Sequence, residues 1–91
     1  MIRSFRHKGL ARLWRGNDQS GVRADLVERL RRRLRALSAA TSPSELNVPG
    51  FDFHPLRGKP KRYSIHVNGP FCLTFEWIEA DAWRVELEQY H

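Results

Sequence analysis

Two stretches hold most of the side chains that could do chemistry on a phosphate. The first, "HPLRGKPKRY", runs from His54 to Tyr63 and carries four cationic residues; its two prolines and one glycine make it an exposed loop leading into a strand. Arg57 can grip a phosphate with its planar fork, while Lys59, Lys61 and Arg62 attract phosphate as charges near the same place. On charge alone, a solvated loop remains an equally simple reading. The second stretch, "VELEQYH", alternates apolar and polar residues like a strand and delivers Tyr90 and His91. An imidazole titrates near neutral pH and suits a general acid or base. If the last strand carries His91 beside the cationic loop, a histidine, a tyrosine and several cations surround one RNA phosphate. Such a set supports a ribonuclease that needs no metal or other cofactor. The 2′-hydroxyl attacks, a base takes its proton, and cations stabilise the dianionic transition state.

The other candidates are weaker. His54 stands at the base of the loop, where a lone histidine before proline more often packs or hydrogen-bonds than catalyses. His7 and His66 have no carboxylate or cysteine at metal-ligand spacing. Cys72 is the single cysteine, which excludes an internal disulfide framework or a CxxC motif and points to a reducing compartment, the cytoplasm. No base or helix N-terminus can be assigned to activate it.

These residues must be positioned by one small fold, because 91 residues support a single domain, 1–91, and no second core. Sixteen Lys and Arg against ten Asp and Glu give a net charge of +6, which favours a polyanionic partner such as nucleic acid, an acidic protein or an anionic surface. No apolar stretch approaches the roughly 18 to 20 residues of a membrane span, so no membrane partner is expected. Residues 1–17 lack acidic side chains and superficially suit a transit peptide. However, "MIRSF" alternates like a strand and "GLARLWRG" reads as a helix that adds to the core.

Leu10, Leu13 and Trp14 recur at helical spacing until Gly16 stops the turn. From Val22 the stripe Leu26, Val27, Leu30, Leu34 and Leu37 predicts a second helix to about Ala40; Arg29, Arg31, Arg32, Arg33 and Arg35 between them fit a solvated face better than direct RNA contact. "TSPSELNVPG" is a connector, since Pro43 and Pro49 interrupt any helix. Tyr63, Ile65 and Val67 then alternate with polar residues, and Asn68 and Gly69 signal a hairpin turn. Phe71, Leu73, Phe75 and Trp77 follow against Cys72, Thr74 and Glu76, and Trp83, Val85 and Leu87 against Arg84, Glu86 and Glu88. Helices first and strands afterwards predict an α+β layer structure, its helices covering the apolar face of the sheet and its polar face left open for work.

Several segments together resemble a known family: "MIRSFRHKGLARLW", "ALSAATSPSELNVPG", "HPLRG", "YSIHVNGPFCLTFEW" and the closing "QYH". They are similar to the HigB group of killer toxins, within the RelE and ParE superfamily of bacterial toxin–antitoxin systems. The resemblance spans nearly the whole chain. It implies two N-terminal helices against a curved antiparallel sheet, with an RNA site on the other face, and cleavage of messenger RNA inside the ribosomal A site. The implied partners are a helix-turn-helix antitoxin of the HigA kind, the ribosome with its messenger RNA, and operator DNA reached through the antitoxin.

Among the family's functional positions the resemblance carries over His54, Tyr90 and His91. Where the family usually has lysine in "HPLKG" this chain has Arg57. Cys72 stands where an arginine phosphate ligand is usual, and Gln89 replaces the acid of "DYH". These departures imply a reduced activity, with Lys61, Arg62 or Arg84 as compensating cations. Two readings compete with the nuclease: a weakened toxin that still binds its antitoxin and co-represses their operon, and a gyrase inhibitor like ParE.

Overall fold

The computed structural model describes residues 1–89. The first apolar stripe folds as helix α1, Lys8–Gly16, which buries Leu10 and Leu13. His7 Nδ1 accepts the Leu10 backbone N–H at 3.1 Å and caps the first turn. The helix is closed by Asn17 rather than by Gly16: Asn17 takes the left-handed φ of 53° and its N–H returns to the Arg12 carbonyl, a conformation that asparagine tolerates better than most side chains. Gly9, in the first turn, lies against Gly21, and a Cβ on Gly9 would collide with the Gly21 carbonyl.

The second stripe becomes α2, Val27–Ala39, entered through a 3₁₀ turn at Ala24–Leu26. The predicted start at Val22 is too early because Arg23 is extended, with ψ 137°. Arg33 also departs from the expected solvated face. It is buried, donates from Nε to the His66 carbonyl at 2.6 Å, and stacks over Phe51 at 4.8 Å. Burial, then the neighbouring Arg29 and Arg32, pull Arg33 below the usual guanidinium range.

The sheet contains β1 (His54–Pro55), β2 (Arg62–Asn68), β3 (Phe71–Ile78) and β4 (Asp81–Gln89) in that order, each antiparallel to the next. Ile65, Val67, Leu73, Phe75 and Val85 on one face pack with Leu10, Leu13, Leu30, Leu34 and Leu37 into one apolar cluster. Each such side chain contributes roughly 1.5 to 3 kcal/mol by leaving water. This is the α+β arrangement the sequence predicts. The free side of β4 is covered by the N-terminal segment, which runs parallel to it through Ile2 with Ala82 and Phe5 with Val85. Arg6 N–H donates to the Val85 carbonyl at 2.9 Å, so the segment delivers Arg6 to the site described below.

One irregularity resets the alternation of β4. Thr74 pairs with Glu86 but Glu76 pairs with Trp83, so an extra residue is accommodated at Arg84, which sits at φ 50°. The Ser4 hydroxyl accepts the Arg84 backbone N–H at 2.8 Å and supports the bulge. Because cross-strand partners share a face, Trp83 lies with Glu76 rather than with Val85 and Leu87. Ala82 takes the buried position opposite Trp77 in its place.

Candidate functional site

The face of the sheet away from the helices is built in rows. His54, Ser64, Thr74 and Glu86 form one row; Arg62, Glu76 and Trp83 a second; His66, Cys72 and Glu88 a third. This face is not the bare solvated surface that alternation predicts. Ser64, Thr74 and Glu76 are buried in it, and Arg62 lies across Thr74 and Glu76. One terminal nitrogen of Arg62 reaches Glu76 Oε2 at 3.0 Å. The other donates to Thr74 Oγ1 at 3.1 Å and to the Arg84 carbonyl at 2.9 Å.

Glu76 gathers three guanidinium groups. Besides Arg62 it receives Arg84 on Oε1 at 3.0 Å, and Arg6 stands 3.8 Å from Oε2. Arg6 also approaches Glu86 at 4.0 Å. A carboxylate with its own side chain only 8 % exposed is tolerable there because cations surround it.

Beside this knot lies a groove of about 400 Å³, lined by the loop Leu56–Pro60 and by Arg6, Arg62 and Glu88. The loop contributes Arg57 and Lys59, and Gly58 turns it with φ 115°, a value that side chains rarely adopt. A larger hollow of about 680 Å³, under the connector at Asn47–Gly50, carries no lysine or arginine in its lining.

The structure thus brings Arg57, Lys59 and Arg62 together and separates two other expected ligands from them. The Lys61 ammonium lies 5.5 Å over the Tyr63 ring, in the aromatic stack Phe53–Tyr63–Phe75, and does not line the groove. Arg84 joins the knot through Glu76 with its side chain 47 % exposed. His54 is exposed on the outer strand, its Nδ1 2.8 Å from the Asp52 carbonyl. A carbonyl only accepts, so Nδ1 carries the proton and Nε2 of the neutral ring keeps its lone pair. Cys72 is half-buried, opposite both His66 and Glu88. Tyr90 and His91 lie outside the described residues.

Arg6, Thr74 and Glu88 were not singled out by sequence reasoning. The alternation of β3 and β4 places Thr74 and Glu88 on this face, so that signal existed. Arg6 had none, because it arrives on a parallel segment seventy and eighty residues away in the chain from its neighbours Glu76 and Glu86.

A sheet with helices on one face and, on the other, a groove edged by Arg57 and Lys59 over an arginine-rich floor defines a class: small basic α+β proteins shaped for a polyanion. The comparisons specify which one. Residues 3–91 match the family described as the RelE-like toxin of type II toxin–antitoxin system HigB. The chain is also 42 % identical over 92 residues to "Endoribonuclease HigB" of Proteus vulgaris, covering all of both chains. The chain belongs to the HigB family of RelE-like toxins, and a type II system pairs such a toxin with an antitoxin. Among the described residues, no helix is long and apolar enough to cross a membrane.

Proposed function

We propose that this protein is an endoribonuclease toxin that cuts messenger RNA on the ribosome, in the cytoplasm, and is neutralised by a helix-turn-helix antitoxin of the HigA kind. Through that antitoxin it reaches operator DNA. The observation that carries the reading is the groove, lined by Arg57 and Lys59 from the loop and by Arg6 and Arg62, a cationic lining that suits a nucleic-acid backbone, on a chain whose curated relative bears an endoribonuclease name. The non-bridging phosphate oxygens lie against Arg57 and Lys59, whose charge stabilises the dianionic transition state. His91, with Tyr90 beside it, exchanges protons with the reacting oxygens, and His54 Nε2 serves RNA binding or proton transfer from the edge of the sheet. The cleavage leaves a 2′,3′-cyclic phosphate and a 5′-hydroxyl, with no cofactor in the reaction.

Arg62 contributes from beneath. Its donors are taken by Glu76, Thr74 and the Arg84 carbonyl, so it shapes the floor and adds field rather than a free hand for phosphate. Arg84 and Lys61 serve as peripheral contacts to RNA or ribosome.

One observation favours a second reading, a weakened toxin retained for antitoxin binding and co-repression: Cys72 pairs with His66 and Glu88 on the site face, at the position where the family resemblance implies an arginine. Induced expression followed by mapping of RNA ends separates the two. New 5′-hydroxyl ends within reading frames are expected of the nuclease. Growth arrest with intact messenger RNA, or no arrest at all, would contradict it.

A further inference from the structure

We infer that Glu88 is the general base of the cleavage, an assignment that rests on the ribonuclease reading above. The site face carries two contrasting carboxylates. Glu76 has both oxygens occupied by guanidinium groups and is closed off from substrate. Glu88 lines the groove with Arg57, Lys59 and Arg62, and among the described residues it enters no ion pair. It is held instead by a hydroxyl, because Thr74 Oγ1 donates to Glu88 Oε2.

The direction of that bond follows from chemistry. Arg62 can only donate, and it donates to Thr74 Oγ1 at 3.1 Å; the threonine proton is therefore turned toward Glu88. Thr74 is completely buried and Arg62 nearly so, which makes the relay from Arg62 through Thr74 to Glu88 a rigid support. It fixes one carboxylate oxygen from below and leaves the other for the groove. An anion in a groove shaped for polyanions opposes substrate binding. Its use is then in the chemical step.

The 2′-hydroxyl gives its proton to Glu88 as the 2′-oxygen forms a bond to phosphorus. The bond from phosphorus to the 5′-oxygen breaks, and that oxygen takes a proton from the acid of the reaction, His91. Water afterwards removes the proton from Glu88 and restores the one on His91. Glu88 and His91 thus divide the base and acid roles between them.

The test is Glu88→Gln, which keeps the shape and an acceptor for Thr74, measured on programmed ribosomes. Single-turnover cleavage should fall by about 10² to 10⁴-fold, while binding of the toxin is unchanged or tighter because an anion has left a cationic groove. Glu88→Asp, which keeps the carboxylate but withdraws it, should recover part of the rate. A messenger RNA with a 5′-bridging sulfur at the cut site has a leaving group that needs no proton. It should restore His91→Ala and leave Glu88→Gln slow. Cleavage by Glu88→Gln at the parent rate, or its rescue by the sulfur substrate, would overturn the assignment of Glu88 alone. Parent protein that leaves messenger RNA intact, or that cuts a 2′-deoxy site as fast as a ribose, would overturn the ribonuclease reading and this assignment with it.

Discussion

Replacing Glu76 by Gln tests the arginine knot that underlies the site. Arg62 and Glu76 are 13 % and 8 % exposed in their side chains and 3.0 Å apart, so this pair is largely out of water. Breaking such a pair from one side costs about 3 to 5 kcal/mol, because the partner charge is left behind without compensation. Glutamine keeps one acceptor oxygen but turns an amide N–H₂ toward another guanidinium, so the lower end of that range applies. Arg84 and Arg6 have side chains 47 % and 48 % exposed, and water screens their contribution to no more than about 0.5 kcal/mol each. The sum is about 3 to 4 kcal/mol, a large part of the roughly 5 to 15 kcal/mol available to a domain of this kind. The melting temperature should fall by about 12 to 32 °C. Urea unfolding followed by tryptophan fluorescence measures the loss. Arg62→Ala should cost a similar amount and Arg84→Ala less than about 1 kcal/mol. A loss below about 1 kcal/mol for Glu76→Gln, or equal losses for the two arginines, would refute the reasoning.

Other outcomes follow from the same geometry. Arg57→Ala and Lys59→Ala should each weaken ribosome or RNA binding and flatten its logarithmic salt dependence by roughly 0.7 to 0.9 units, checked by binding titrations at several salt concentrations; an unchanged slope would place the phosphate contact elsewhere. Gly9→Ala drives a methyl group into the Gly21 carbonyl and should destabilise by about 1 to 3 kcal/mol, read from the shift of the urea midpoint. Asp81 is held below its ordinary pKa chiefly by the Arg3 hydrogen bond, Glu45 by that from the Thr41 hydroxyl, and Asp18 by the Ser20 backbone N–H. A depressed folded-state pKa stabilises above the unfolded value and is lost as pH falls. Unfolding midpoints should therefore drop from pH 6 toward pH 3, and Asp81→Asn should reduce that drop.

The helical stripes of α1 and α2, the hairpin after Asn68, whose turn falls at Gly69 and Pro70, and the alternation of β2 and β3 were legible because each is set by contacts close in sequence. Arg33 was not, because a carbonyl thirty-three residues away accepts its proton and makes its burial tolerable. The shift of Trp83 off the apolar face was also hidden. It comes from a left-handed arginine supported by the Ser4 hydroxyl, and nothing local to "DAWRVE" marks it. At the site, the cationic loop could be read from its composition. That Lys61 turns to Tyr63 while Arg62 turns inward to Glu76 could not be read from composition, since the two are adjacent and alike in charge; only the alternation of β2 separates them.

The proposed cleavage of messenger RNA runs through His91 and only on the ribosome. Purified toxin, parent and His91→Ala, should be incubated with the same messenger RNA, free and on programmed ribosomes, and the 5′ ends mapped. Defined 5′-hydroxyl ends are expected from the parent with ribosomes alone, and a loss of about 10² to 10⁴-fold in His91→Ala. The same ends on free RNA, or undiminished cutting by His91→Ala, would contradict it.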